Sequence, residues 1–319
     1  MVKKILRHLK ALIVAVLIVA ASSFGWQGSA RFENNADKEA ASRLRSHVKF
    51  LSADVGNRDM WEGYGNLLRS RDYIAGTLGA YGYRVLFQEY AVGNKKAGNI
   101  IVTKEGLDKT KAPLVLGAHY DSCGNPGADD NASGVAVLLE LARSAAALPL
   151  QRTIRFVFFV NEEPPFFKTG AMGSRVYARS LKEKKEDILG AVVVECLGHY
   201  SQKFFSQRYP PLLGFFYPNK GNFVAVVGNG RSRELVSDTT KALRNSRIPS
   251  RSLVIDFLPV ASFSDHWSFW QEGFRGAMIT DTAFLRNRDY HTPTDTFEKL
   301  DYDAMARIVS GLAAWLEKA

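Results

Sequence analysis

The chain has 319 residues, of which 46% are apolar, 12% aromatic and 23% charged, with a formal net charge of +10. That content suffices for a large buried core and excludes wholesale disorder. The basic excess is not a nucleic-acid footprint. Lys3, Lys4, Arg7 and Lys10 come from a leading segment without acids, and beyond it Lys and Arg occur only in short, scattered groups.

Residues 1–30 read as a targeting segment: a basic start, the apolar run Ala11 to Ala21, and small residues ending Gly28, Ser29, Ala30. The run is shorter than the ~20 residues a spanning helix needs. A signal peptide cleaved near Ala30 is expected, or an uncleaved amino-terminal anchor, since Phe24 and Trp26 prolong the apolar character. Either way the destination is the periplasm or the exterior, with membrane contact only in the anchored case. Residues 31–319 show no repeat, linker or composition break, so one catalytic domain is expected there.

Helical spacing of Ala40, Leu44, Val48 and Leu51 predicts a helix over 36–51, and Leu67, Leu68, Tyr73, Ile74 and Leu78 a second over 66–80. Strands are expected over Tyr83 to Val92 and Asn99 to Lys104, with Gly93 to Gly98 as a hairpin turn. The segment PLVLGAHYDSCGNPGADDNASG, residues 113–134, reads as a strand ending at His119, a polar loop, and a helix start. A helix at Val135 to Ala147, a buried strand at Thr153 to Val160 and a helix at Met172 to Leu181 follow. Ala191 to Val194, Phe223 to Gly228, Ser252 to Phe257 and Ala277 to Thr280 are strands, Ser232 to Leu243 a helix, and Tyr302 to Leu316 a closing amphipathic helix. This alternation predicts an α/β fold with a mostly parallel sheet covered on both faces and the Tyr83 to Lys104 hairpin at an antiparallel edge. The aromatic connection 197–222 is too long for an ordinary loop and is expected to face substrate. Cys123 and Cys196 are either bridged or two isolated thiols.

Four strand ends carry chemistry. Leu114 to Ala118 delivers His119, Ile154 to Val160 delivers Glu162 and Glu163, Ala191 to Val194 delivers Glu195, and Ala277 to Thr280 leads through Asp281 to a loop bearing His291. In a parallel sheet these ends share one edge, where ligands of open α/β sheets bind. Imidazoles and carboxylates without Cys pairs suit zinc in a hydrolytic setting, with manganese or cobalt as other candidates. Two metals need one carboxylate that uses both oxygens, and Asp130 is the candidate. Adjacent Glu162 and Glu163 point different ways from extended backbone, which splits them between ligation and acid/base work. His119 and Asp121, two apart, share a face, so Asp121 is placed to orient the imidazole.

The motifs AHYDS, GADDNASG, NEE, VVVEC, FSDHWSF and YHTPTDTFEKL, in this order, resemble those of the co-catalytic zinc exopeptidases. That family includes bacterial leucyl aminopeptidase, glutamate carboxypeptidase and, more distantly, glutaminyl cyclase. The resemblance implies a three-layer α/β/α fold with a mixed sheet and two Zn2+ per chain. His119 and Glu195 would hold one ion, Glu163 and His291 the other, with Asp130 bridging, Asp121 supporting His119, and Glu162 as general base. It further implies a peptide substrate and aminopeptidase activity, with a single-zinc glutaminyl cyclase or a noncatalytic binding protein as alternatives. The chain departs from the aminopeptidase pattern in having Glu195 for the usual Asp, Pro164 and Pro165 after the glutamates, and the long connection. No Tyr stands among Ala261, Ser262 and Phe263 to stabilise an oxyanion. Asp265 and His266 are expected to give structural support, His199 to lie at the surface, and Phe263, Trp267, Phe269, Trp270 and Phe284 to pack the core or line a pocket.

Overall fold

The computed structural model describes residues 37–211 and 213–318, so the expected targeting segment lies outside the described residues. Asp37 opens the first helix, accepting from the amides of Glu39 and Ala40 at 3.0 and 3.1 Å. Helix α1 (Lys38–Lys49) runs on into a π-helical turn, Phe50–Val55, and α2 (Tyr64–Ala80) follows. The remaining order is β1 (Leu86–Val92), β2 (Lys95–Lys104), β3 (Leu114–His119), α3 (Gly134–Ala146), β4 (Ile154–Phe159), α4 (Gly173–Glu183) and β5 (Gly190–Glu195). Then come β6 (Val224–Gly228), α5 (Arg233–Asn245), β7 (Ser250–Val254), α6 (His266–Gln271), β8 (Gly276–Thr280) and α7 (Tyr302–Leu316).

All eight strands form one sheet, ordered β1-β2-β4-β3-β5-β8-β6-β7. Alternate residues of each strand feed opposite layers. Leu114, Leu116 and Ala118 pack with α1, α2, α3, α5 and α7 on one face, while Val115, Val157, Phe159 and Val193 pack with α4 and α6 on the other. The result is the expected three-layer α/β/α arrangement. Gly117 is required at its place on β3: an added Cβ would sit 2.3 Å from the Phe159 ring. Strands β4, β3, β5 and β8 are mutually parallel neighbours, so their carboxyl ends share one edge. Among the described residues no helix is long and apolar enough to cross a membrane.

Three local expectations are corrected. The hairpin turn is tighter than Gly93 to Gly98: Val92 already pairs with Lys95, because Gly93 adopts φ +59° and closes a two-residue turn. Strand β7 lies two residues earlier than expected and stops at Val254, since its parallel register against β6 pairs Val224 with Ser250 and Gly228 with Val254. Strand β8 meets β6 antiparallel, a reversal inside the sheet that the sequence does not announce.

Candidate functional site

The residues delivered to the shared edge meet there. His119, the last residue of β3, is fully buried, and Glu195, the last of β5, is nearly so. His119 Nε2 lies 3.2 Å from both Glu195 Oε1 and Asp130 Oδ1. The other Asp130 oxygen, Oδ2, lies 2.9 Å from His291 Nε2, which in turn stands 3.2 Å from Glu163 Oε2. One carboxylate thus faces two imidazoles through its two oxygens. Glu162 Oε2 is farther out, 4.0 Å from His119 Nε2.

Asp121 does more than sequence spacing suggests. It lies 3.4 Å from His119 Nδ1, and its two oxygens accept the amides of Glu162 and Glu163 at 3.2 and 3.1 Å. The acid therefore fixes the turn that separates the two glutamates. The Asp130 loop is held by Asp295, which accepts the amides of Asp129 and Asp130, and by Asn131, whose Nδ2 donates to Val194 O at 2.9 Å. Ser264 Oγ donates to Glu195 Oε2 at 2.8 Å. Beneath the loop, wholly buried Arg58 donates to the carbonyls of Leu51, Gly56, Tyr120, Pro126 and Gly127.

The electrostatics follow from burying so many acids together. Burial, then the neighbouring Asp130, pushes Glu163 up to about 8. Glu162 is raised well above the carboxylate range by burial, with Glu195 and Glu163 adding to the shift. Burial opposes protonation of His119, but Glu195, Asp121 and Asp130 outweigh it and raise the imidazole. His291 is raised in the same way by Asp130, Cys123 and Glu163. Asp130 is lowered despite its burial, because His119 and His291 flank it.

Whether these residues fit a metal is tested by the atoms left over. Glu163 Oε1 is buried and has no hydrogen-bond partner, and Asp130 Oδ2 meets His291 Nε2 only as an ion pair. Native interiors rarely leave such groups unsatisfied. Two donor clusters form, His119 with Asp130 and Glu195, and Cys123 with Glu163 and His291, each with its donor atoms within 4.8 Å of one another. The mixture of imidazole, carboxylate and thiol suits zinc.

The other candidates divide. His266 is buried, donates from Nε2 to Ala261 O at 2.8 Å, and packs edge-on against Trp270, which is structural support. Asp265 is buried beside it. Phe269 belongs to the core, whereas Phe263 and Phe284 border an apolar cavity next to Glu195. Tyr209 and Leu213 of the 197–222 connection wall the same cavity. His199 is half-buried rather than superficial, its amide donating to Asp281 Oδ2 at 2.7 Å and its carbonyl accepting from Arg286. Both cysteines are free thiols. Sequence reasoning passes over Tyr290, whose ring stacks on His291 at 4.0 Å between centroids and lines the cavity. Its position directly before His291 was the available signal.

Residues 99–316 match the family described as Peptidase family M28. The chain is 38% identical over 287 residues to the uncharacterised protein YfbL of Escherichia coli, covering 86% of this chain and 87% of that one. It is 25% identical to leupeptin-inactivating enzyme 1 of Streptomyces exfoliatus across 83% of this chain, but spans only 59% of that relative's length. Among solved structures, BSAP, a zinc aminopeptidase from Bacillus subtilis, superposes with a TM-score of 0.69 at 17% identity over 87% of this chain and 94% of that one. The glutaminyl cyclase of Tannerella forsythia superposes with a TM-score of 0.64 at 21% identity over 88% and 98%. Both likenesses are of fold. With the family match spanning most of the described fold and the donor clusters on its shared edge, the chain belongs to peptidase family M28 and is a metallopeptidase.

Proposed function

We propose that the chain is an exported aminopeptidase that removes amino-terminal residues from peptides with two zinc ions per chain. The observation that carries the proposal is Asp130, which turns one oxygen to His119 and the other to His291. In this reading His119 and Glu195 would hold one ion and Glu163 and His291 the other, with Asp130 offering an oxygen to each. When bound, such a pair supplies positive charge that polarises a scissile carbonyl and acidifies water. Glu162 stands outside both donor clusters, buried and with a raised proton affinity, which fits a group that takes a proton from the attacking water and hands it to the departing amine. Asp121 acts through others, orienting His119 and the two glutamates. Export rests on the layout of residues 1–30.

The cavity beside Glu195 favours an apolar amino-terminal side chain. Its walls include Tyr209, Leu213, Phe223, Met278, Phe284 and Tyr290, and among the described residues Glu195 is its one acid and Arg251 its one cation. The test is a panel of aminoacyl anilides and amino-terminal glutaminyl peptides, assayed with and without chelator alongside zinc analysis. Chelator-sensitive release favouring apolar residues, with two zinc ions per chain, is expected. Ring closure of glutaminyl peptides without anilide hydrolysis, at one zinc per chain, would make the protein a cyclase instead. Activity indifferent to chelator would end the metal-based reading.

A further inference from the structure

The loop between β3 and α3 brings a thiol into the second donor cluster. Cys123 follows Asp121 by two residues, and its Sγ lies within 4.8 Å of a Glu163 carboxylate oxygen and a His291 ring nitrogen, which are equally close to each other. The loop that carries it is pinned. Ser122 Oγ accepts the Arg58 amide at 3.0 Å and donates to Asn125 O at 2.9 Å, Asn125 Nδ2 donates to Cys123 O at 3.0 Å, and Gly124 makes the turn at φ +66°. The thiol is therefore held in place rather than carried on a free tip.

A second, independent feature points to a cation there. Glu163 is only 4% exposed, yet its Oε1 has no hydrogen-bond partner. A buried carboxylate oxygen left without a partner is costly unless a positive centre serves it. Cys196 provides a contrast: it is wholly buried, faces Glu195 Oε1 at 3.6 Å, and belongs to neither cluster.

We propose that Cys123, through its sulfur, is a fourth side-chain ligand of the metal ion held by Glu163, His291 and the bridging Asp130. The proposal rests on the metal-binding reading above and deepens it. The two metal positions are then unlike: His119 and Glu195 offer only nitrogen and oxygen, whereas the second position adds a soft sulfur that favours thiophilic ions such as zinc over magnesium or manganese. A metal ion bound at this position would also shield Cys123 from electrophiles.

The test uses the whole protein, stripped of metal and reloaded with Co2+, as wild type and as Cys123→Ser and Cys196→Ser. Wild type and Cys196→Ser should show a sulfur-to-cobalt charge-transfer band in the near ultraviolet. Cys123→Ser should lose that band and bind its second equivalent of metal ~10–100-fold more weakly. Wild-type Cys123, mapped by mass spectrometry, should react with iodoacetamide in the stripped protein and be protected by zinc, a readout that needs no variant to fold. Wild type that takes up two equivalents of cobalt without a sulfur band, or zinc that leaves alkylation unchanged, would remove Cys123 from the coordination sphere while leaving the metal reading intact. Wild type that binds no cobalt at all would remove both.

Discussion

Glu162 and Glu163 are adjacent in sequence and opposite in surroundings. Glu163 reaches His291, whereas Glu162 stays outside the donor clusters with its oxygen 4.0 Å from His119. Replacing Glu162 by Gln keeps the shape of the side chain and removes its ability to take a proton. Zinc content should survive while turnover falls by about 10²–10⁴-fold, the usual contribution of a positioned base. Unimpaired turnover in that variant would take Glu162 out of the proposed mechanism. His266 carries a second prediction at this scale. Burial, with Lys168 adding, lowers its pKa to about 4, below the ordinary imidazole value. A folded-state value below the unfolded one means that the unfolded chain binds the extra proton between about pH 6.5 and about pH 4, so stability contributed by neutral His266 is full above that window and lost as pH falls through it. The loss amounts to about 3 kcal/mol by linkage. Denaturant melts of wild type and His266→Phe should show a stability difference that shifts by this amount across the window, and a pH-independent difference would contradict it.

The 197–222 connection shows how one element is tied to the edge it serves. Arg286, 4% exposed, donates to His199 O at 3.1 Å, to Gln207 Oε1 at 2.9 Å and to Phe223 O at 3.0 Å, which clamps the start, middle and end of the connection. Removing it by Arg286→Ala leaves buried carbonyls unpaired, at a cost of roughly 2–4 kcal/mol. The variant should melt earlier, be cut by protease within 199–222, and lose discrimination among apolar substrates because Tyr209 and Leu213 no longer wall the cavity. Wild-type protease resistance in that variant would show that the connection holds itself. The sequence makes the strand ends legible because apolar β-branched runs stopping at His119, Glu162 and Glu195 look alike wherever they occur. Tyr302 to Leu316 is likewise read to the residue, since its apolar stripe repeats at helical spacing. Arg58 and Arg286 are not legible: a buried guanidinium satisfied by distant carbonyls has the same sequence signature as a surface charge. Strand β6 is recognised but not its direction, because an apolar run reads the same parallel or antiparallel.

At the scale of the molecule, the two packed faces of the sheet hold the fold, and the cluster at its edge works against it. Burial raises Glu162, Glu163 and Glu195 at this edge, with Glu163 reaching about 8, whereas Asp130 is lowered. A carboxylate whose folded pKa lies above its unfolded value contributes stability below the unfolded value and loses it as pH rises through the folded one. His119 and His291, also raised, lose their contribution in the same direction. The metal-free protein is therefore expected to weaken from about pH 4.5 to about pH 8 as Glu163 ionises, while metal competes with fewer protons for the same atoms as pH rises. Both effects widen the gap between loaded and stripped protein. At zinc ~100–1,000 times its dissociation constant, binding adds about 3–4 kcal/mol, worth roughly 5–15 °C in melting temperature. Stripped protein should still unfold cooperatively, because the apolar layers do not depend on the ions, and the increment on adding zinc should be larger at the alkaline end. An increment that stays constant with pH, or a stripped chain with no cooperative transition, would mean that the ions act on the fold by some route other than relieving this crowded edge.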